Sequence, residues 1–132
     1  MINVRIWLPF PPTVNNYYVQ TRNGRFISKK GKHFISAVGE KCIEQGVSNL
    51  HLIDKLSVSV VLFMPDKRKR DLDNYKKALL DSITKAGVWM DDSQIDQLHS
   101  YRGGVIKDGA TIIQIEEAGM VVPWKHEDIV LG

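Results

Sequence analysis

One cysteine, no acidic residue before position 40 and no apolar run of membrane-spanning length set the first limits on this 132-residue chain. Cys42 alone cannot close an internal disulfide, which fits a reducing compartment; it lies in an apolar stretch with Val38 and Ile43 and reads as core. The opening residues carry Arg5 inside their hydrophobic stretch and contain nothing of signal-peptide length. A cytoplasmic protein with no membrane partner is therefore expected. The four histidines, His33, His51, His99 and His126, show no i,i+3 or i,i+4 pairing, and one cysteine cannot help them build a zinc site. No internal repeat or low-complexity tract is present. The length suits one domain with a real hydrophobic core, and 43% apolar with 25% charged residues is ordinary for a globular protein.

The missing acids make the charge uneven. Residues 1–39 hold Arg5, Arg22, Arg25, Lys29, Lys30 and Lys32, a balance of +6, while the other 93 residues balance at −3. A random surface fluctuation could produce this. A basic binding surface beside an acidic site would also do so.

Residues 3–8 alternate Val4, Ile6 and Leu8 with polar neighbours and Trp7, a strand that Pro9, Pro11 and Pro12 end. Asn23-Gly24 between Tyr18-Val19-Gln20 and Phe26-Ile27 signals a short hairpin. Ser28 is placed to cap a helix from about Lys29 to Gln45, with Phe34, Val38 and Cys42 on one side. Residues 56–64 are apolar nearly throughout, which predicts a central strand covered on both faces and stopped by Pro65. A helix from Asp71 to about Ala86 follows, closed by Gly87. Residues 95–102 and 110–116 make a last pair of strands, turned by Asp108-Gly109. The expected fold is mixed α+β: a small mixed β-sheet with two main helices, in the order β-(hairpin)-α-β-α-β-β. Residues 1–119 form the expected domain, and 120–132 a tail with Trp124 as its one candidate anchor.

Chemistry concentrates in one segment. Lys67-Arg68-Lys69-Arg70 runs straight into Asp71-Leu72-Asp73-Asn74, and Asp91-Asp92 follows one helix-length later. Clustered cations suit a polyanion and clustered carboxylates suit a hard divalent metal; DNA with Mg²⁺ answers both, so the segment points to phosphodiester chemistry. On a helical wheel Leu72, Tyr75, Ala78, Leu79, Leu80, Ile83 and Ala86 share the core side, while Asp73, Lys77 and Asp81 share the opposite side. Lys76 falls among the apolar positions, so the wheel puts Lys77 beside Asp73 and Lys76 away from it. The alternative is structural: Asp71 caps the helix, and Asp73, Lys77 and Asp81 form a surface ion-pair ladder. That account leaves Asp91-Asp92 and the four cations unexplained.

Weaker signals lie upstream. Lys29, Lys30 and Lys32 oppose the dipole of the helix they open, which a bound phosphate would offset. Tyr17 and Tyr18 could stack on an exposed base, although such tyrosines more often close a core edge. Trp89 is placed to plug the helix end and position Asp91-Asp92.

The stretch RKRDLDNYKKALLDSITKAGVWMDD resembles the RusA family of Holliday junction resolvases of phages and prophages. The likeness extends to LPFPPTVNNYY, ISKKGKHF and FMPDKRKR, and covers roughly residues 3–118. It implies a Mg²⁺-dependent homodimeric endonuclease, for which Mn²⁺ could substitute, cutting four-way DNA junctions in recombination and repair. Asp71, Asp73 and Asp92 match the family's essential aspartates and would hold the metal. Lys77 matches its essential lysine, and Asp91 matches an aspartate of less certain role. Lys67, Arg68, Lys69 and Arg70, with Lys29, Lys30, Lys32 and Lys76, are the expected DNA contacts. Two rivals stand beside this expectation: a general branched-DNA or flap nuclease, and a non-catalytic DNA-binding module.

Overall fold

Alternating apolar residues build a four-stranded sheet whose order is β1-β6-β4-β5, from Asn3–Leu8 (β1), Leu56–Phe63 (β4), Ile95–Arg102 (β5) and Ala110–Glu117 (β6). The computed structural model describes residues 1–119; the tail expected over 120–132, Trp124 included, lies outside them. β1 and β4 both run antiparallel to β6, and β5 runs parallel to β4. Between β1 and β4 come a short helix, Val14–Tyr17 (α1), a hairpin of Tyr18–Thr21 (β2) and Gly24–Ile27 (β3), and the long helix Lys29–Glu44 (α2). Helix Lys76–Lys85 (α3) carries the chain from β4 to β5, the crossover that a parallel pair requires.

The mixed α+β class and the element order are as the sequence predicts, with three differences. The β5 and β6 pair is not a hairpin, because β4 lies between them. β4 is central but not covered on both faces: Leu56, Val58, Val60 and Leu62 are buried, whereas Ser57, Ser59, Val61 and Phe63 are half-exposed. The helical segment after the basic run starts with a 3-10 turn, Leu72–Tyr75, before α3 proper begins.

The core lies between one sheet face and the helices. Ile6, Leu8, Ile113 and Ile115 join the buried β4 residues against Phe34, Val38 and Cys42 of α2 and Ala78, Leu79 and Ile83 of α3. Each fully buried Leu or Ile contributes about 1.5–3 kcal/mol relative to exposure. Burial also pushes the Cys42 thiol up to about 11, so it is an inert core group.

Ser28 accepts the Gly31 N–H at 3.0 Å, capping α2 as expected. Only glycine fits at position 31, because a Cβ there would lie 2.5 Å from the Tyr17 carbonyl oxygen. At the far end of α3, Gly87 (φ 83°) turns the chain where a Cβ would meet the Ser48 carbonyl at 2.4 Å. Among the described residues no helix is long and apolar enough to cross a membrane.

Candidate functional site

The basic run owes its shape to an acid inside it. Asp66 accepts the Arg68 backbone N–H at 2.9 Å, and its carboxylate is gripped by both terminal nitrogens of Arg70 and by Arg68 Nε at 3.2 Å. These partners hold the Asp66 carboxyl well below the usual carboxylate range, the Arg70 hydrogen bond most of all. Arg70 is thus anchored before any ligand arrives, whereas Lys67 and Lys69 stay exposed and form no ion pair among the described residues. Arg102, the last residue of β5, donates from Nη2 to the Arg70 carbonyl at 2.7 Å and ties the loop to the sheet. Together Arg68, Lys69, Arg70, Arg102, Asn74 and Asp71 line a groove of about 830 Å³ at the C-terminal ends of β4 and β5.

Asp71 lines that groove as the N-cap of the 3-10 turn, its Oδ1 accepting the Asp73 N–H at 3.3 Å. Both aspartates are exposed. Lys76 Nζ lies 3.0 Å from Asp73 Oδ1, so the wheel's separation of Lys76 from Asp73 is overturned. The cause is the local winding: a 3-10 turn advances about 120° per residue, which eclipses i and i+3. The ion-pair ladder Asp73–Lys77–Asp81 of the alternative, structural reading does not form either. Asp81 instead accepts the Tyr17 hydroxyl and has Lys85 Nζ at 4.0 Å, and Lys77 is exposed with no ion pair among the described residues.

The second acidic pair is set by a different device. Asp91 caps a 3-10 turn over Asp92–Gln94, and the Gln94 side chain completes the capping box by accepting the Asp91 N–H at 2.8 Å. Gln94 is buried and also donates to the carbonyls of Leu52 and Asp54 at 2.8 and 2.9 Å. Trp89, fully packed and donating to Thr84 Oγ1 at 2.6 Å, seals the end of α3 beneath this turn. Hydrogen bonds from Ser93 lower the Asp91 carboxyl below its ordinary range, as expected of a cap. Asp92 keeps a partly exposed side chain.

These two acidic groups lie at opposite ends of the sheet. Asp92 stands just before the N-terminal end of β5, whereas Arg102 at its C-terminal end holds the residue preceding Asp71. An eight-residue strand spans about 25 Å. Accordingly, among the described residues no three carboxylate, histidine or cysteine side chains converge tightly enough to hold a metal. The donors are right in kind, since carboxylate oxygens are what Mg²⁺ takes. A single chain brings Asp71 and Asp73 together and leaves Asp92 apart.

Upstream, Tyr17 is buried and Tyr18 packs edge-on against it, so both close a core edge; Arg25 stacks on the Tyr18 ring at 3.8 Å. Burial, reinforced by Asp81, holds the Tyr17 phenol well above its usual range. Lys29, Lys30 and Lys32 line the start of α2, all three exposed. Sequence reasoning missed Asp66, Arg102 and Gln94. Asp66 carried a signal, since an acid two and four residues before arginines can fold a loop around itself; Arg102 and Gln94 act through partners distant in sequence.

Comparison with known proteins gives a consistent picture. The family profile described as endodeoxyribonuclease RusA matches residues 9–116. The crossover junction endodeoxyribonuclease RusA of Escherichia coli K12 is 35% identical over 114 residues, covering 86% of this chain and 94% of that protein. Proteins of the same name from Enterobacteria phage 82 and phage HK97 are 35% and 36% identical, covering 90% and 83% of this chain and 98% and 91% of their own lengths.

Proposed function

Because this chain belongs to the endodeoxyribonuclease RusA family, we propose that it resolves four-way DNA junctions by paired symmetric nicks, with Mg²⁺ as its cofactor and Mn²⁺ able to replace it. Its setting would be DNA recombination and repair in the cytoplasm. The observation that carries this reading is an exposed acidic turn that lines a basic groove with Asp71 and carries Asp73 two residues on. A module that only bound DNA would gain nothing from carboxylates facing phosphates, which repel them; a metal-assisted phosphodiesterase needs them there.

Asp71 and Asp73 of one copy, with Asp92 of a second, would hold the ion. When bound, such an ion acidifies water and neutralises charge on the phosphate. The chain's own residues do the rest. Arg68, Lys69 and Arg102 seat phosphates along the groove, the exposed Lys67 adds its charge from the same loop, and Asp66 keeps Arg70 from swinging out of it. Lys76 fixes the Asp73 carboxylate, and Lys77 offers its exposed ammonium to the charge that grows on the leaving oxygen.

A homodimer is part of the same reading, and the open edge of the sheet supports it. β5 is an edge strand with Leu98 and Tyr101 exposed, and an open edge invites pairing. A two-fold axis through the middle of β5 brings the Asp92 end of one copy to the Arg102 and Asp71 end of the other, twice over. Two such sites match two nicks in a two-fold symmetric junction. The test is incubation with synthetic four-way, three-way and linear duplex DNA, with Mg²⁺ or with EDTA. Cleavage of the four-way junction alone, in Mg²⁺ alone, is expected. Equal cutting of three-way or flapped DNA would favour a general branched-DNA nuclease, and binding without cutting would favour a non-catalytic module.

A further inference from the structure

Beside the basic groove lies a second depression of different character. A crevice of about 520 Å³ opens between the Pro9–Pro12 segment and the first half of α2. Its walls are Phe10, Pro11, Pro12, Phe34 and Ala37, and its rim carries Lys29, Lys30 and His33. Asn16 lines both this crevice and the groove that holds Asp71, so the two adjoin. Between them the Phe10 ring packs on Tyr75 of the groove at 5.0 Å between centroids, and Phe10 also abuts Gly109, where any Cβ would come within 2.7 Å of it.

Apolar walls with a cationic rim suit a group that is flat and apolar on its faces, polar at its edge and linked to anions. A nucleotide has that make-up. We propose that the crevice is a subsite for one unstacked nucleobase of the DNA strand lying in the basic groove, a proposal that rests on the DNA-cleaving reading above. The base would insert its faces among Phe10, Pro12 and Phe34 and present its edge to the Asn16 amide and His33 imidazole. Its flanking phosphates would meet Lys29 and Lys30, two cations at a helix start where the dipole disfavours them. The volume falls within the range of roughly 300–1,000 Å³ usual for small-molecule sites. A base drawn out of the stack beside Asp71 would make cutting depend on which base occupies that position.

The experiment uses the full chain in EDTA, so that binding is read without cleavage. Four-way junctions carrying one abasic nucleotide at each successive position near the crossover are titrated against the wild-type protein and against Ala37→Trp, which fills the crevice. One position should show a loss of about tenfold or more in affinity for the wild type, the size expected of one stacked base. In Ala37→Trp that position should bind intact and abasic junctions alike, with the salt dependence of binding unchanged. If Ala37→Trp does not fold, Ala37→Leu serves, and the abasic scan of the wild type stands without either. A flat scan, or a variant that discriminates as the wild type does, overturns the subsite while leaving the nuclease reading intact. Failure to bind any junction overturns both. A dimer reduced to monomer by Ala37→Trp in light scattering would give the crevice to a second copy of the chain and overturn the base subsite.

Discussion

Lys76 and Asp73 form an ion pair, Nζ to Oδ1 at 3.0 Å, across the junction between a 3-10 turn and the helix that continues it. The pair occupies the lysine that the helical wheel set aside and leaves Lys77, one residue on, exposed and without an ion pair among the described residues. Lys76 is therefore committed to the ground state, and Lys77 is available to charge that appears only during reaction. Lys77→Ala should cost at least about tenfold more cleavage rate than Lys76→Ala at saturating protein. Equal rates would remove Lys77 from the reacting centre.

Replacing Asp71, Asp73 or Asp92 by Asn should lower cleavage by at least about 100-fold, as loss of a metal ligand or an electrostatic partner at the reacting phosphate does. Junction binding should be unchanged or tighter, because each change also removes a negative charge facing phosphate. Folding should survive, since Asn caps a helical turn as well as Asp does at position 71, and Asp73 and Asp92 are exposed and partly exposed. Gel shifts in EDTA beside cleavage assays in Mg²⁺ read both effects. Normal cleavage by one of the three would strike that residue from the site.

Gln94→Ala should destabilise the protein and disable it together. Four hydrogen bonds depend on this buried amide: two accepted from the Met90 and Asp91 N–H groups and two donated to Leu52 and Asp54 carbonyls. Each buried partner left unsatisfied costs about 1–3 kcal/mol, so thermal unfolding should begin at lower temperature. Cleavage should fall further than binding, because the turn that carries Asp92 loses its tether to the 52–54 segment. Unchanged unfolding and unchanged cleavage would show that the capping box positions nothing.

The cations of the basic run should not be equivalent. Lys67→Gln and Lys69→Gln should each reduce the log–log salt slope of DNA binding by roughly 0.9, the share of one neutralised phosphate, with little effect on folding. Arg70→Gln should instead release Asp66 and loosen the loop, lowering affinity by more than its share of the slope. Binding titrations at several salt concentrations separate the two patterns. An unchanged slope in the lysine variants would mean that the run does not touch the backbone.

Much of this was legible in the sequence because alternation and capping are local. The strands, the hairpin at Asn23-Gly24, the Ser28 cap and the Gly87 stop all follow from neighbouring residues. Periodicity gives the face a residue occupies, not the strand beside it, so the insertion of β4 between β5 and β6 could not be read. The wheel's step of about 100° fails where the backbone winds at about 120°, which misplaced Lys76. Most consequential is Asp92. A carboxylate pair one helix after another looks adjacent on paper, yet the helix carries the chain its own length away, to the opposite end of β5.

That separation allows one decisive measurement: mixing two inactive variants. Asp71→Asn and Asp92→Asn proteins, each unable to cut, are combined, allowed to exchange subunits, and given a four-way junction in Mg²⁺. If each site draws Asp71 and Asp73 from one chain and Asp92 from its partner, the mixed dimer holds one intact site, and nicking of one strand returns. Mixing Asp71→Asn with Asp73→Asn spoils both sites and should restore nothing. A mixture of Asp71→Asn and Asp92→Asn as inert as its parents, after exchange has been verified, would contradict a site shared between two copies.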